Sequence, residues 1–140
     1  MKNYTGKILK GLAILSIILI VGCSKSENDV YRELTLQEKV SLLENGEWLV
    51  KGFEDRVMHT FSDGEKFTFY GIDGEFTEAI PSKKAYAIID SKFVIDYNFG
   101  IIKKYDLVVR CNNNIVEMYD DTQGQIILYR KDSNYKDCLN

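Results

Sequence analysis

Hydrophobic and polar positions change rhythm twice along the chain. Leu12 to Val21 reads Leu-Ala-Ile-Leu-Ser-Ile-Ile-Leu-Ile-Val without a charge, behind a polar start that carries Lys2, Lys7 and Lys10. A helix needs about 20 apolar residues to cross roughly 30 Å of hydrocarbon, so this run is too short to span. A positive start followed by a short apolar stretch is the secretory pattern. Ser24 to Asp29 is polar and aperiodic and reads as a flexible tether. From Leu34 to Asn45 the apolar residues Leu36, Val40 and Leu43 recur at helical spacing. Thr35-Leu36-Gln37-Glu38 fits a capping box at its start, and Gly46 suits the C-terminal cap.

From Glu47 onward the period becomes two. Trp48 and Val50 share a face, as do Val57, His59 and Phe61 in the next segment. Ser62-Asp63-Gly64-Glu65 signals a turn into 66–71, where Phe67 and Phe69 share a face, and Ile72-Asp73-Gly74-Glu75 signals another into a short strand at 76–80. Alternation returns at 84–90 (Tyr86, Ile88), 93–97 (Phe93, Ile95, Tyr97), 105–111 (Tyr105, Leu107, Val109, Cys111), 115–119 and 125–130. Eight or nine strands joined by short turns, with no helix between them, force antiparallel neighbours. Closing such a meander removes its edges. The expectation is an all-β fold: a small up-and-down barrel of about eight strands with one N-terminal helix packed at an end, a flattened sandwich being the alternative.

Composition narrows the function classes. At 140 residues there is room for one domain, and 45% hydrophobic with 28% charged residues is ordinary for a globular chain. The overall charge of −3 hides an asymmetry: three lysines and no acid precede Cys23, so the part from Cys23 onward carries about −6. An acidic domain without a basic stripe does not suit nucleic acid.

Ile20-Val21-Gly22-Cys23 resembles the lipobox of bacterial lipoproteins. The resemblance implies a signal peptide over 1–22, a lipid on the Cys23 thiol, cleavage before it, and a lipidated tether over 23–33. Acyl chains contribute about 0.8 kcal/mol per buried CH₂, and two or three anchor far more firmly than one. Ser24 follows the cysteine, where Asp would mark inner-membrane retention in enteric bacteria, so the resemblance implies the outer membrane of a cell envelope. The remainder, 34–140, is similar to lipocalin-like lipoproteins: a Leu-rich helix, Gly46-Glu47-Trp48 opening the first strand, Phe61-Ser62-Asp63-Gly64, the hairpin from Tyr86 to Ile95, and Leu128-Tyr129-Arg130 at the close. In true lipocalins a late Arg packs across the indole of a Gly-x-Trp, a role that falls here to Arg130 over Trp48.

Candidate chemistry is sparse. His59 is the lone histidine, which does not make up a zinc constellation and lacks a partnering nucleophile motif; a structural role is expected. Asp63-Gly64-Glu65 and Asp73-Gly74-Glu75 read as turns rather than a Ca²⁺ loop. Once Cys23 takes a lipid, Cys111 and Cys138 either pair as a disulfide, as an oxidising compartment allows, or stay as a buried and a frayed thiol. No catalytic set, cofactor fingerprint or metal cluster stands out, so a non-enzymatic protein without a cofactor is expected. Nine Tyr and seven Phe are many for a small core. Tyr70, Tyr86, Tyr97, Tyr105 and Tyr119 suit a half-wet surface. Two readings follow: a barrel holding a small apolar or amphipathic ligand, lined by Trp48, Phe67, Phe69, Ile95, Tyr97 and Leu107, or a filled barrel meeting a protein or glycan partner through an exposed aromatic face.

Overall fold

The expected capping box opens helix α1 (Leu36–Glu44): Glu38 N donates to Thr35 Oγ1 at 3.3 Å, and Thr35 N donates to Glu38 Oε2 at 2.8 Å. These bonds satisfy two of the orphan N–H groups that every helix start carries. Arg32 forks onto the same carboxylate at 2.6 and 3.1 Å and, with the Thr35 bonds, holds Glu38 down at about 2. Val40 and Leu43 are buried along one face, with Leu36 packed beside them. Asn45 closes the helix, and Gly46 serves a purpose other than a left-handed cap: a Cβ there would stand 2.8 Å from Trp48 Nε1. Glycine at 46 makes room for the indole. The computed structural model describes residues 32–139, so the apolar run at 12–21, the signal peptide, Cys23 and the tether as far as Tyr31 lie outside the described residues.

Nine strands follow: β1 (Trp48–Val50), β2 (Val57–Ser62), β3 (Glu65–Ile72), β4 (Glu75–Ala79), β5 (Lys84–Ile89), β6 (Lys92–Asp96), β7 (Ile102–Arg110), β8 (Ile115–Asp120) and β9 (Gln125–Arg130). Every pairing is antiparallel, and the order β1-β9-β8-β7-β6-β5-β3-β2 returns to β1. Eight strands thus close a barrel, with β4 as an extra strand. The hairpin turns Asp63-Gly64 and Asp73-Gly74 put positive φ at both central positions, the twist that two-residue hairpins favour.

β4 and β5 take the same edge of β3 in succession. Phe69 pairs with Ala79, and Lys66 with Lys84, so β3 advances three residues while its partner advances five. The slack falls around Pro81, which has no N–H to give the ladder. β7 starts at Ile102, earlier than the alternation suggested, and Cys111 belongs to the following turn with φ 55°.

The end beneath α1 is packed solid. Trp48, Phe61, Phe93, Ile95, Val116, Met118 and Leu128 are all fully buried. Phe61, Tyr86 and Phe93 meet with ring centroids 5.3–6.0 Å apart. Trp48 Nε1 donates to Leu43 O at 2.9 Å, and Arg130 lies over the indole at 5.7 Å while donating to Asn45 O at 2.8 Å. Lys39 Nζ reaches Leu107 O at 2.9 Å, and Tyr86 donates to Glu44 Oε1 at 2.6 Å. The helix is thereby bonded to β1, β5, β7 and β9.

A second apolar cluster sits on the outside. Ile115, Tyr129 and Tyr135 are buried there with Leu49, Cys111 and Ile127 against them. Tyr135 stacks on Tyr129 at 4.4 Å from a C-terminal 3-10 turn (Tyr135–Cys138). Cys138 is joined to Cys111 by a disulfide, which staples that turn to the wall.

Two outcomes follow. Trp48→Ala should destabilise the domain by about 3–5 kcal/mol in urea unfolding followed by circular dichroism. Arg130→Ala should cost about 1–2 kcal/mol through the lost indole and carbonyl contacts. Equal, small effects from both would contradict the helix-plug account. Paired Cys111→Ser and Cys138→Ser changes should lower stability by about 2–4 kcal/mol while leaving the far-ultraviolet spectrum unchanged; identical midpoints with and without the bond would contradict a stapling role.

Candidate functional site

An up-and-down barrel places successive turns at alternate ends. α1 and the start of β1 occupy one end, so the β1–β2, β3–β4, β6–β7 and β8–β9 connections gather at the other. Residues directly opposite in an antiparallel pair share a face. Trp48 faces the interior and pairs with His59, which pairs with Thr68; Phe61 pairs with Lys66, which pairs with Lys84. His59, Lys66, Thr68 and Lys84 therefore continue the inward rows. From the opposite wall Tyr105 pairs with Asp120, and Lys103 with Ile95, on the same inner face. The interior thus has two halves: an apolar floor under the helix and a polar half beyond it.

Lys66 is the centre of the polar half. It is only 6% exposed, with Nζ 3.2 Å from Thr68 Oγ1 and 3.4 Å from His59 Nδ1. Thr68 Oγ1 lies 3.1 Å from the same His59 nitrogen, and the Tyr97 ring centroid is 6.0 Å from the ammonium. Tyr97 and Tyr105 share a hydroxyl–hydroxyl bond at 3.0 Å.

The ionic balance of this half is lopsided. Lys103 pairs with Asp120 at 2.9 Å. That carboxylate is already committed: it accepts from Thr122 N, Thr122 Oγ1 and Gly124 N, bonds that tie the β8–β9 turn and hold its pKa far below the usual range. Gly124 permits this, since a Cβ there would meet Asp120 Oδ2 at 2.6 Å. Lys66 and Lys84 make no salt bridge among the described residues; Lys84 Nζ donates instead to Ser82 Oγ at 3.0 Å. Burial and the facing Lys84 push Lys66 down to about 8. Burial and the Lys66 charge push His59 down to about 3, so at neutral pH it is an uncharged imidazole that accepts from its neighbours. Burial raises both Tyr97 and Tyr105, which keeps their hydroxyls protonated.

The far end also carries the apolar surface. A groove of about 450 Å³ is lined by Tyr70, Gly71, Ile72, Glu75 and Thr77, where β3 and β4 run past the barrel wall. Tyr70 follows Lys66 and Thr68 at the two-residue spacing of one strand face. Also exposed are Phe53 of the β1–β2 loop, Ile72, Phe99 and Ile101 of the β6–β7 turn and Ile102 at the start of β7, Phe99 to 98%.

The sequence-derived site residues separate in the structure. Trp48, Ile95 and Leu107 are buried in the floor cluster, with Tyr97 packed against it. Phe67 and Phe69 do not line the interior, a correction with a clear cause. The two-residue Asp63-Gly64 turn sets Phe61 opposite Lys66, and Phe61 is in the core, so Lys66 and Thr68 point inward and the two phenylalanines outward. Of the tyrosines expected to be half-wet, Tyr70 and Tyr119 are exposed, whereas Tyr86 and Tyr105 are buried. His59, read as structural, is part of the interior polar cluster, and Lys66 and Thr68 were missed. The signal was available in the turn register, but two inward polar residues run against the habit of assigning aromatics to the core face.

Comparison with protein-family models, curated proteins and solved structures finds no match to this chain.

Proposed function

We propose that the chain is a lipid-anchored protein of the cell envelope, held to the outer membrane through Cys23, whose lipocalin-like barrel binds a small amphipathic ligand in the half of its interior away from α1. The observation that supports this most is the division of the interior. One half is sealed by rings and the helix, and the other gathers amines, hydroxyls and an imidazole, with an exposed groove at Tyr70 and Ile72 further along β3. A few convergent polar groups beside apolar surface is the usual composition of a small-ligand site. Binding is the use we assign to this cluster of amines, hydroxyls and a neutral imidazole.

The test is one preparation with two readouts. The full-length chain should take up radiolabelled palmitate and partition with membranes, and Cys23→Ala should abolish both. Protein released without detergent should show, in native mass spectrometry, a discrete small-molecule adduct. A labelled, membrane-bound Cys23→Ala protein would overturn the anchor, and a bare wild-type mass would overturn the ligand.

A second reading is favoured by one feature. Asn98, Phe99 and Gly100 all have positive φ, so the β6–β7 turn holds a fully exposed phenyl ring on a constrained backbone. On this reading the far-end rim meets a protein or glycan partner. Phe99→Ser should then abolish cross-linking to envelope components without altering the thermal midpoint; unchanged cross-links would exclude the rim as the contact.

A further inference from the structure

We infer that the far half of the barrel interior recognises an oxyanion, a carboxylate or phosphate carried by a compact molecule, between Lys66 and Lys84. The inference rests on the small-ligand reading above and gives it a chemical class.

Three observations converge. First, the interior is charged in the opposite sense to the protein. The chain is acidic from Cys23 onward, yet its inward-facing positions beyond the floor hold Lys66, Lys84 and Lys103, with Asp120 as the acid among them and Glu78 opposite Tyr70 only at the exposed rim. Asp120 is consumed by Lys103 and the β8–β9 turn, which leaves the two ammonium groups on directly opposed positions of β3 and β5 without an ion pair among the described residues. Like charges facing across a ladder repel, and a buried charge without a counter-ion is destabilising. A chain that keeps both lysines there needs something to balance them, and a bound anion does so.

Secondly, the neighbours of Lys66 suit an anion. His59 from β2 is uncharged, Thr68 on β3 brings a hydroxyl, the ring of Tyr97 beyond β6 faces the ammonium, and Lys84 on β5 is the second cation. Among the described residues no carboxylate is within hydrogen-bond distance of it. Two of the three ammonium donors are directed at Thr68 and His59, which leaves one for a ligand.

Thirdly, the ladder is short here. β3 and β5 share only two residue pairs, one of them Lys66 with Lys84, before the slack around Pro81. Further along the same strand face as Lys66 and Thr68 lie Tyr70 and its groove. The floor is filled by Phe61, Tyr86 and Phe93, so the body of the ligand must be short or lie outward on Tyr70 and Ile72.

Isothermal titration of the purified chain with benzoate, phenyl phosphate and neutral benzyl alcohol tests this. At pH 7 at least one anion should bind about tenfold or more tightly than the alcohol, the difference expected of a hydrogen bond to a charged group. Benzoate and phenyl phosphate distinguish the two headgroups. Affinity should fall as the pH rises above about 8, where Lys66 loses its proton in the empty site, and binding near that pH should take up a proton. Lys66→Met should erase the preference for the anion, and Lys66→Arg should retain most of it. Replacing a buried charge by an apolar chain of similar length is often neutral or stabilising, so Lys66→Met should fold, which its thermal midpoint verifies. Anions that fail to bind the folded protein, or that bind Lys66→Met as well as the wild type, overturn the inference. Equal binding of all three probes, or a neutral co-purifying molecule, overturns it while leaving the small-ligand reading in place.

Discussion

The indole of Trp48 is the point on which the two parts of the domain depend. It is fully buried, its N–H is spent on the last turn of α1, and Arg130 from the closing strand covers it. β1 is only three residues long, yet it pairs with both β2 and β9 and so closes the ring. So short a strand gains little from its ladder, and Trp48 adds the burial and hydrogen bond that hold it in register. The same residue joins helix to barrel and first strand to last. Gly46 follows as a consequence, since the backbone before the strand must pass against the ring.

Sealing one end with this plug fixes what the other end can be. The floor takes the large apolar side chains, and the remaining inward positions of β2, β3 and β5 carry His59, Lys66, Thr68 and Lys84. A polar interior is costly unless its groups are satisfied, and most are: Thr68 and His59 answer each other, the two tyrosines share a hydrogen bond, and Lys103 has Asp120. The lysines on β3 and β5 have hydroxyl partners but no ion pair among the described residues, and the proposed ligand reading rests on that imbalance.

Much of this architecture is legible in the chain. Two-residue alternation and Asp-Gly turns identify the strands and their antiparallel order, Thr35 and Glu38 mark the helix start, and Gly-x-Trp with a late arginine locates the closure. The interior polar cluster was harder to see. Phe67 and Phe69 look like core residues by hydrophobicity, and only the register set by Phe61 opposite Lys66 shows that they face outward. The break at Pro81 and the shared edge of β3 also escape a local pattern, because they depend on pairings between residues far apart in sequence.

The most direct test of a buried, uncompensated amine is the titration of Lys66 itself, read from its side-chain ammonium signal by nuclear magnetic resonance in selectively labelled protein. The account predicts a midpoint near 8 in the ligand-free domain. A midpoint near the ordinary lysine value of 10.5 would mean that Lys66 is hydrated or ion-paired in solution, and would contradict it.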